Sequence, residues 1–491
     1  MRPIILFLLM VACAIGAMAQ GTFVYTNNDR NPNSVSAFSV AANGALSPVP
    51  GSPFLTGGTG TSFGFIAANR ITTAIVNGVL YAANSGSNNV SAFSINPATG
   101  VLTAVPGSPF PTGFISSGSG ISLATTPNDQ FLIAANAGTV NITIYSIAAN
   151  GALTAVAGSP FNAGPGGPLD GIKVTPDGKF LAVARINNNA VSMYSISSAG
   201  GLTPVPGSPF PAGGTGLAAG VDCNCSSKNL FVGEATSGST IVSVQSIAAN
   251  GALSPIPGSP FIGPGSNSNV VLLSPDDSKL FVSNQESSSV TAFNVAASGA
   301  LTLVPGSPFP APGSFSPSGM ATDQSGTFLY VADFNNKIIG FSIAANGALS
   351  LIPGSPFSVF PGGFGLLSLT VFPSKSCCPA PVISDASATP DVLWPPNHKF
   401  VEVTIDYAVT SPCPSTCVLT ISSNEPINGA GDGNTSPDWQ VVDAHHLLLR
   451  AERVGDGNGR TYTITITCTN DTNKQSSTKT VTVFVPHDQG K

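Results

Sequence analysis

The feature that most constrains this chain is a short phrase that occurs seven times. The sequence VPGSPF ends at Phe54, Phe110, Phe210 and Phe309, and versions with one residue altered end at Phe161, Phe261 and Phe357. Successive copies of GSPF begin 48 to 56 residues apart. A repeat of this length indicates units that cannot bury their own apolar faces and must stack on their neighbours. The chain is therefore expected to contain seven similar structural units.

Each unit has the pattern of four short β-strands. The stretch from Gly171 to Phe210 contains four runs rich in Val, Ile, Leu, Phe and Tyr, separated by turn sequences such as PDGK at 176–179. In four other units the last turn is an Asn-Gly pair, the favoured two-residue hairpin turn. No helical periodicity competes with this pattern. Four antiparallel strands, repeated seven times, predict an all-β fold with a seven-bladed β-propeller.

The two ends of the repeat region contain complementary fragments. The segment TFVYTNN at 22–28 has the pattern of a second strand, whereas an isolated first-strand pattern, GLLSLTVFP at 365–373, follows the last GSPF. We therefore expect the strand at 365–373 to complete the first blade, with the propeller occupying 20–374. Within each blade, GSPF is expected to form a turn at the outer edge, where Pro is tolerated and Phe packs back on the next blade.

Three segments also carry a resemblance to a known family. LYAANSGSNNVSAFSI (80–95), LFVSNQESSSVTAFNV (280–295) and LYVADFNNKIIGFSI (329–343) resemble the YVTN-type repeats of lactonase-like seven-bladed propellers and of bacterial surface proteins. The resemblance covers roughly 21–374 and implies the propeller fold. It implies an activity only weakly, because such repeats consist mainly of strand and turn residues.

The two termini indicate an exported protein with a second domain. Residues 1–19 have the layout of a secretory signal peptide, and Met10 disfavours acylation at Cys13. We expect a linker at 375–381 and then, at 382–491, alternating strand patterns typical of a small immunoglobulin-like β-sandwich. The LWPPNHK stretch and the region around it resemble immunoglobulin-like modules of secreted bacterial proteins. The protein is therefore expected to be secreted or to lie in the cell envelope, the periplasm included.

The cysteines and acidic turns allow several interpretations. Five cysteines lie in the C-terminal quarter, where disulfides are expected in an exported protein, whereas Cys223 and Cys225 are expected to be buried thiols. Two GDGN turns, with Asp432, Asp456 and nearby Asp438, could bind Ca²⁺ or could simply be turns. We favour turns and expect no metal site.

The candidate binding residues come from aligning the blades. At the end of each second strand the default residue is Asn, and three blades depart from it with Arg185, Glu234 and Asp333. If these side chains point toward the channel mouth, they could bind a polar ligand together with inner-strand residues Asp170, Lys173 and Asp222. Only 8% of residues are charged, so such clustering is notable. The alternative is an ion pair between blades with no ligand.

Two functions remain open. Lactone-processing propellers are expected to use His, Arg or Glu around the central cavity, but all four histidines here lie beyond residue 374. Relatives often carry an Arg-His pair where this chain has Leu169-Asp170. We therefore favour a binding or scaffold protein of the adhesion type. The alternative is a lactonase-type hydrolase resembling 6-phosphogluconolactonase, with Arg185 and Glu234 as candidate catalytic residues.

The partner and cofactor expectations follow from composition and motifs. The net charge of −6 does not indicate a positively charged surface that would bind nucleic acid. No segment beyond the expected signal peptide is long and apolar enough to cross a membrane. No nucleotide-binding or zinc motif is present, so we expect no cofactor. The expected partner is a small molecule, a glycan or a protein, and the expected state is a monomer.

Overall fold

The structure, a computed structural model, contains two compact units that divide between residues 375 and 376. It describes residues 21–61, 71–74, 78–113, 120–359, 365, 368–374, 377, 381–411, 415–427, 436–470 and 476–488. The segment expected to be a signal peptide and the first GDGN turn lie outside these residues. No helix within the described ranges is long and apolar enough to span a membrane.

The first unit consists almost entirely of short strands. In chain order they are β1 (Phe23–Asn27), β2 (Ser34–Val40), β3 (Leu46–Pro48), β4 (Phe54–Leu55), β5 (Ile71–Ala74), β6 (Val79–Asn84), β7 (Asn89–Ile95), β8 (Leu102–Ala104), β9 (Phe110–Pro111), β10 (Ile121–Thr125), β11 (Phe131–Asn136), β12 (Asn141–Ile147), β13 (Leu153–Ala155), β14 (Phe161–Asn162), β15 (Leu169–Val174), β16 (Phe180–Arg185), β17 (Ala190–Ile196), β18 (Leu202–Pro204) and β19 (Phe210–Pro211). The remaining strands of this unit are β20 (Leu217–Cys223), β21 (Asn229–Ala235), β22 (Thr240–Ile247), β23 (Leu253–Pro255), β24 (Phe261–Gly263), β25 (Ser268–Leu273), β26 (Lys279–Asn284), β27 (Ser289–Val295), β28 (Leu301–Leu303), β29 (Phe309–Pro310), β30 (Pro317–Thr322), β31 (Phe328–Asp333), β32 (Lys337–Ile343), β33 (Leu349–Leu351), β34 (Phe357–Ser358) and β35 (Leu369–Phe372). One 3₁₀ turn, Ile186–Asn188, follows β16.

These strands form the seven blades of a β-propeller, as the repeat predicted. In the second blade the order is β5-β6-β7-β8, all antiparallel, and the same order recurs in the other blades. A further strand of two or three residues pairs with the third strand of every blade, which the sequence did not predict. In the first blade β35 supplies the innermost strand and pairs with β1, for example Phe23 with Phe372.

The GSPF phrase joins the fourth strand to this short fifth strand. Its Gly adopts a φ of 82° to 89° in all seven copies, a conformation that favours glycine, and its Ser-Pro peptide is cis. The Ser hydroxyl accepts a hydrogen bond from a backbone N–H of the third strand in every blade, as in Ala92 N to Ser108 Oγ at 3.0 Å. The serine therefore fills the gap in the sheet ladder between the two outer strands.

The apolar core lies between neighbouring blades. One cluster, for instance, contains Tyr81 and Val90 of the second blade together with Leu123 and Leu132 of the third, and Phe110 of GSPF packs against it. The other six GSPF phenylalanines each pack on a corresponding cluster. This arrangement agrees with the expected contact of the GSPF phenylalanine with the next blade.

The second unit contains two antiparallel sheets around one core. Its strands are β36 (Val382–Thr389), β37 (Phe400–Thr410), β38 (Ser415–Ser423), β39 (Trp439–Val441), β40 (His446–Arg450), β41 (Gly459–Asn470) and β42 (Ser476–Pro486). The sheets have the orders β36-β37-β40-β39 and β38-β41-β42. The Cys417–Cys468 disulfide joins β38 to β41 within one sheet, whereas antibody domains join their two sheets. The immunoglobulin-like assignment remains a prediction.

One expectation about a single residue is wrong, and the Ca²⁺ alternative is contradicted at Asp438. Cys225 is disulfide-bonded rather than a buried thiol, because it lies in the turn after β20 instead of on the strand; Cys223 keeps its thiol in the buried core. Asp438 is not open to Ca²⁺, because it is buried and forms an ion pair with Arg460. Within the described ranges no cluster of three or more His, Cys, Asp or Glu has metal-binding geometry.

Candidate functional site

The end of the second strand holds a buried polar side chain that binds the adjacent loops. In the fourth blade this residue is Arg185, which has no solvent exposure. Its Nε donates to Ser192 Oγ at 2.8 Å, and its Nη1 and Nη2 donate to the carbonyl of Gly167 at 3.1 Å, to that of Ala163 and to the Tyr194 hydroxyl. The guanidinium group is therefore used to hold the loop that enters the fourth blade.

Glu234 has the same role in the fifth blade. It is completely buried and accepts hydrogen bonds from the backbone N–H groups of Gly214 at 2.9 Å and Gly216 at 3.1 Å. Ser243 Oγ and Asn189 Nδ2 also donate to it. Among the described residues no ion pair joins Arg185 to Glu234. Each residue instead stabilises its own entry loop.

Asp333 is the third residue that replaces the default Asn at the end of the second strand. Its Oδ2 accepts from Ser314 Oγ and from the backbone N–H groups of Phe315 and Ser316, both at 2.9 Å. The default residue binds neighbouring groups too, as Asn284 does with Thr291 Oγ1 at 2.8 Å. The polar atoms of Arg185, Glu234 and Asp333 are thus used in anchoring loops, and the ligand-binding role that depends on their facing the channel mouth stays a prediction.

The inner strands bring two of the predicted residues together. Lys173 on β15 and Asp222 on β20 form an ion pair of 2.8 Å between adjacent blades, and the Lys173 side chain is 33% exposed. Asp222 also accepts from the backbone N–H of Leu273, at 2.8 Å, on the next blade. Burial opposes the charge on Lys173, but the Asp222 carboxylate and its hydrogen bond outweigh that effect and raise the pKa of Lys173. Lys173 is thus a cation at neutral pH.

A small cavity lies beside this ion pair in the central channel. It has a volume of about 90 Å³, and Lys173 and Asp222 provide its charged groups. Apolar side chains from other inner strands, among them Ile71, Leu272 and Met320, also line it, together with Gly319 and Ser368.

The beginnings of the inner strands place a second level of polar groups nearer the loop-rich face. Asp170 lies there on β15, three residues before Lys173 and so about 10 Å from it along the strand. Ser122, Asn269 and Ser318 occupy corresponding places on β10, β25 and β30. All four side chains are buried. The starts of the inner strands therefore place a carboxylate and neutral hydrogen-bonding groups at one level of the propeller, with the Lys173 cation further along β15.

The sequence identified only part of this arrangement. Asp170, Lys173 and Asp222 were selected because they are charged, whereas the neutral Asn269 and Ser122 carry no such signal. Aligning the starts of the inner strands, instead of the ends of the second strands, would have found them.

Comparisons with known proteins agree with the fold. The sequence matches the family described as lactonase, 7-bladed beta-propeller, over residues 77–218 and 223–355, more than half of the chain. No curated protein matches this sequence. A candidate 6-phosphogluconolactonase from Bacteroides fragilis has a similar structure, with a TM-score of 0.56 and 20% identity over 72% of this chain and 99% of its own.

The periplasmic gluconolactonase of Pseudomonas aeruginosa is also similar. Its TM-score is 0.53 at 18% identity, and the match covers 71% of this chain and 99% of that one. At such identities these structures show a common fold. Together with the family match, they establish that the chain belongs to the lactonase family of seven-bladed β-propellers.

Proposed function

We propose that this protein is a lactonase-type hydrolase that opens a lactone ring in the central channel. The observation that carries the proposal is membership of the lactonase family, combined with a buried carboxylate, Asp170, on an inner strand. The adhesion-type scaffold that we favoured from the sequence has no comparable support. Arg185 and Glu234, the catalytic candidates from the sequence, are replaced in this proposal by channel residues.

The chemistry needs a base and a positive potential. Asp170 accepts a proton from water as the water oxygen bonds to the lactone carbonyl carbon. The ring C–O bond then breaks, and its oxygen takes the proton back from Asp170, which gives the hydroxy acid and restores the carboxylate. Lys173, paired with Asp222, stays protonated, and its partly exposed ammonium group donates a hydrogen bond to an oxygen of the substrate deeper in the channel.

The test is a screen of the purified protein on a panel of lactones, followed by two variants. Asp170→Asn keeps the shape of the side chain and removes the base, so kcat/KM should fall at least about 100-fold. Lys173→Met should lower it by about 10-fold, because a charge-assisted interaction is lost. Asp177→Asn and Lys179→Met, in the exposed turn after β15, are the matched controls and should leave it unchanged. Full activity in Asp170→Asn would overturn the assignment of the base.

A second function is favoured by one observation. The propeller sequence contains no histidine, although histidine is the commonest acid–base group in enzymes. We therefore also consider a propeller that binds a small polar ligand in the channel without turnover. Saturable binding of a hydroxy acid or glycan, with no hydrolysis of any lactone in the panel, would support this alternative.

We also propose that the protein acts outside the cytoplasm. The Cys417–Cys468 disulfide is of a kind that persists in oxidising compartments, and the N-terminal sequence is typical of a signal peptide. The similar gluconolactonase of Pseudomonas aeruginosa is periplasmic. The expected N-terminus of the mature protein is Gln20, which sequencing of the exported protein would test.

A further inference from the structure

A buried carboxylate on the fifth blade holds the channel lysine of the fourth. Lys173 Nζ lies 2.8 Å from Asp222 Oδ1, and the Lys173 side chain is 33% exposed whereas that of Asp222 is 5% exposed. An ammonium group carries three N–H donors. Within the described ranges Asp222 is the only hydrogen-bond partner of the Lys173 ammonium group, so one contact sets its direction and leaves two donors for solvent or a ligand.

Two backbone N–H groups hold this carboxylate in turn. Asp222 Oδ1 accepts from the N–H of Cys223 at 2.9 Å, and Oδ2 accepts from that of Leu273 at 2.8 Å. Leu273 lies on β25 in the sixth blade, so Asp222 connects three consecutive blades. Because the carboxylate is buried and fixed by the backbone, it does not have to be oriented again when a ligand enters the cavity.

The charged pair is not a requirement of the propeller fold. The strand register repeats the position of Lys173 and Asp222 on the inner strand of every blade. In the other five blades this position holds an uncharged residue: Thr72, Ala124, Leu272, Ala321 and Thr370. Five inner strands thus pack without a charge at this place, and a buried ion pair is weak evidence for stability. The pair is better explained by the cavity, which both residues line.

We propose that Asp222 is a positioning residue, which fixes the place and direction of the Lys173 ammonium group so that its remaining N–H donors meet a ligand oxygen in the cavity. Burial alone would lower the pKa of Lys173, but the charge and hydrogen bond of Asp222 raise it more, and Cys223 and Asp277 add smaller contributions in the same direction. Asp222 therefore also keeps the ammonium group charged. This inference rests on the proposed function only for assigning the ligand oxygen to a lactone.

The first experiment is the pH profile of Asp222→Asn, with glucono-1,5-lactone as the probe. Asparagine keeps an oxygen that can accept from Leu273 but loses the charge that holds Lys173. We expect kcat/KM at pH 7 to fall about 10-fold, as in Lys173→Met, and the alkaline limb to move down by at least about one pH unit. The double variant should be no less active than Lys173→Met, because Asp222 acts through Lys173. Additive losses with an unmoved alkaline limb would show that Asp222 only caps β25 and would overturn the inference.

Asp222→Glu separates the position of the carboxylate from its charge. Glutamate retains the negative charge but displaces the carboxylate by one carbon–carbon bond, so the ammonium group changes direction. We expect kcat/KM to fall by about 3- to 10-fold with the alkaline limb in its original place. Full activity in Asp222→Glu would mean that the position of the carboxylate is unimportant, and the positioning role would be wrong.

Labelling of the lysine separates this inference from the proposed hydrolysis. Acetic anhydride reacts with deprotonated amines, and the pH midpoint of acetylation at Lys173, measured by mass spectrometry of its peptide, needs no substrate. The midpoint should fall by at least about one pH unit in Asp222→Asn. The matched control is Asp177→Asn, which removes the partner of the exposed Lys179 at 3.4 Å and should move the Lys179 midpoint by less than about 0.3 pH units.

The labelling result decides the inference whether or not turnover is found. If no lactone is hydrolysed but the Lys173 midpoint falls in Asp222→Asn, the hydrolase proposal fails and the hold of Asp222 on Lys173 stands. If the lactone is hydrolysed and the midpoint is unchanged, the hydrolase proposal stands and the inference is wrong.

Discussion

At the scale of single residues, each letter of GSPF has its own structural role. Glycine provides the left-handed turn, and proline occupies a place where a ladder N–H is not needed. Phenylalanine packs into the cluster between two blades, and the serine hydroxyl accepts a third-strand N–H. Seven identical phrases therefore reflect seven identical gaps in the sheets rather than seven sites of chemistry.

Replacing this serine should cost stability in one blade. Ser259→Ala leaves the backbone N–H of Val244 without its acceptor at 2.9 Å, and we expect a loss of about 1–2 kcal/mol in the free energy of unfolding. Ser254→Ala, on the exposed face of β23 in the same blade, should change it by less than about 0.5 kcal/mol. Denaturant unfolding of both variants gives the comparison, and equal stability of the two would contradict this role.

At the scale of elements, the sequence predicted strands and turns well because both depend on local patterns. Alternating apolar residues and Asn-Gly pairs determine where a strand lies, and the fragments at 22–28 and 365–373 indicated how the ring closes. The directions of Arg185 and Glu234 could not be predicted in this way. They depend on where a loop of Gly and Pro presents its carbonyl and N–H groups, and such a loop carries no periodicity.

The first blade also shows that local sequence patterns do not determine the direction of a side chain at a strand end. Aligning the repeats in the sequence places Asn27 at the shared position at the end of the second strand. In the structure Asn28 has the expected partners, donating to Ser34 Oγ at 2.9 Å and Ser36 Oγ at 3.0 Å, as Asn84 does with Ser91 Oγ. A one-residue error reverses the face of a strand residue. Candidate sites that depend on such alignments need side-chain contacts to support them.

Replacing Arg185 should destabilise the loop that enters the fourth blade. Arg185→Asn introduces the default residue of other blades but removes the fork that binds Ala163 and Gly167, so the free energy of unfolding should fall by about 3 kcal/mol. The entry loop at 163–168 should also become sensitive to proteolysis. Lys179→Asn, an exposed change in the same blade, is the control. Unchanged stability with loss of ligand binding would instead return Arg185 to the binding site.

At the scale of the whole molecule, tyrosines join neighbouring blades around the ring. The hydroxyl of Tyr25 in the first blade donates to the carbonyl of Gly100 in the second at 2.9 Å, and Tyr81 does the same to Gly151 in the third at 3.0 Å. Tyr330 in the seventh blade donates to Gly44 in the first at 2.8 Å. This last contact spans the closure of the ring, alongside the pairing of β35 with β1. The fifth and sixth blades have phenylalanine at this place, Phe231 and Phe281, so packing alone does not require the hydroxyl.

Because of these tyrosines, the free energy of unfolding of the propeller should decrease as the pH rises above 10. Burial raises the pKa of Tyr25, Tyr81 and Tyr330 well above the ordinary value of 10. Below pH 10 the folded and unfolded states are both protonated and nothing changes. Above pH 10 the unfolded chain loses these protons while the folded chain keeps them, so stability falls by up to about 1.4 kcal/mol per pH unit for each tyrosine.

Tyr330→Phe tests this dependence at the closure of the ring. At pH 7 the variant should lose about 1 kcal/mol, the value of one hydrogen bond, because Phe281 shows that the ring alone packs well. Above pH 10 its free energy of unfolding should fall less steeply than that of the wild type, and the two stabilities should converge. Denaturant unfolding at pH 7, 9, 10 and 11 measures both effects, with the pH 7 and 9 values as the internal control. Parallel curves at all four pH values would mean that Tyr330 ionises equally in both states, and the hydroxyl would then have no part in holding the seventh blade to the first.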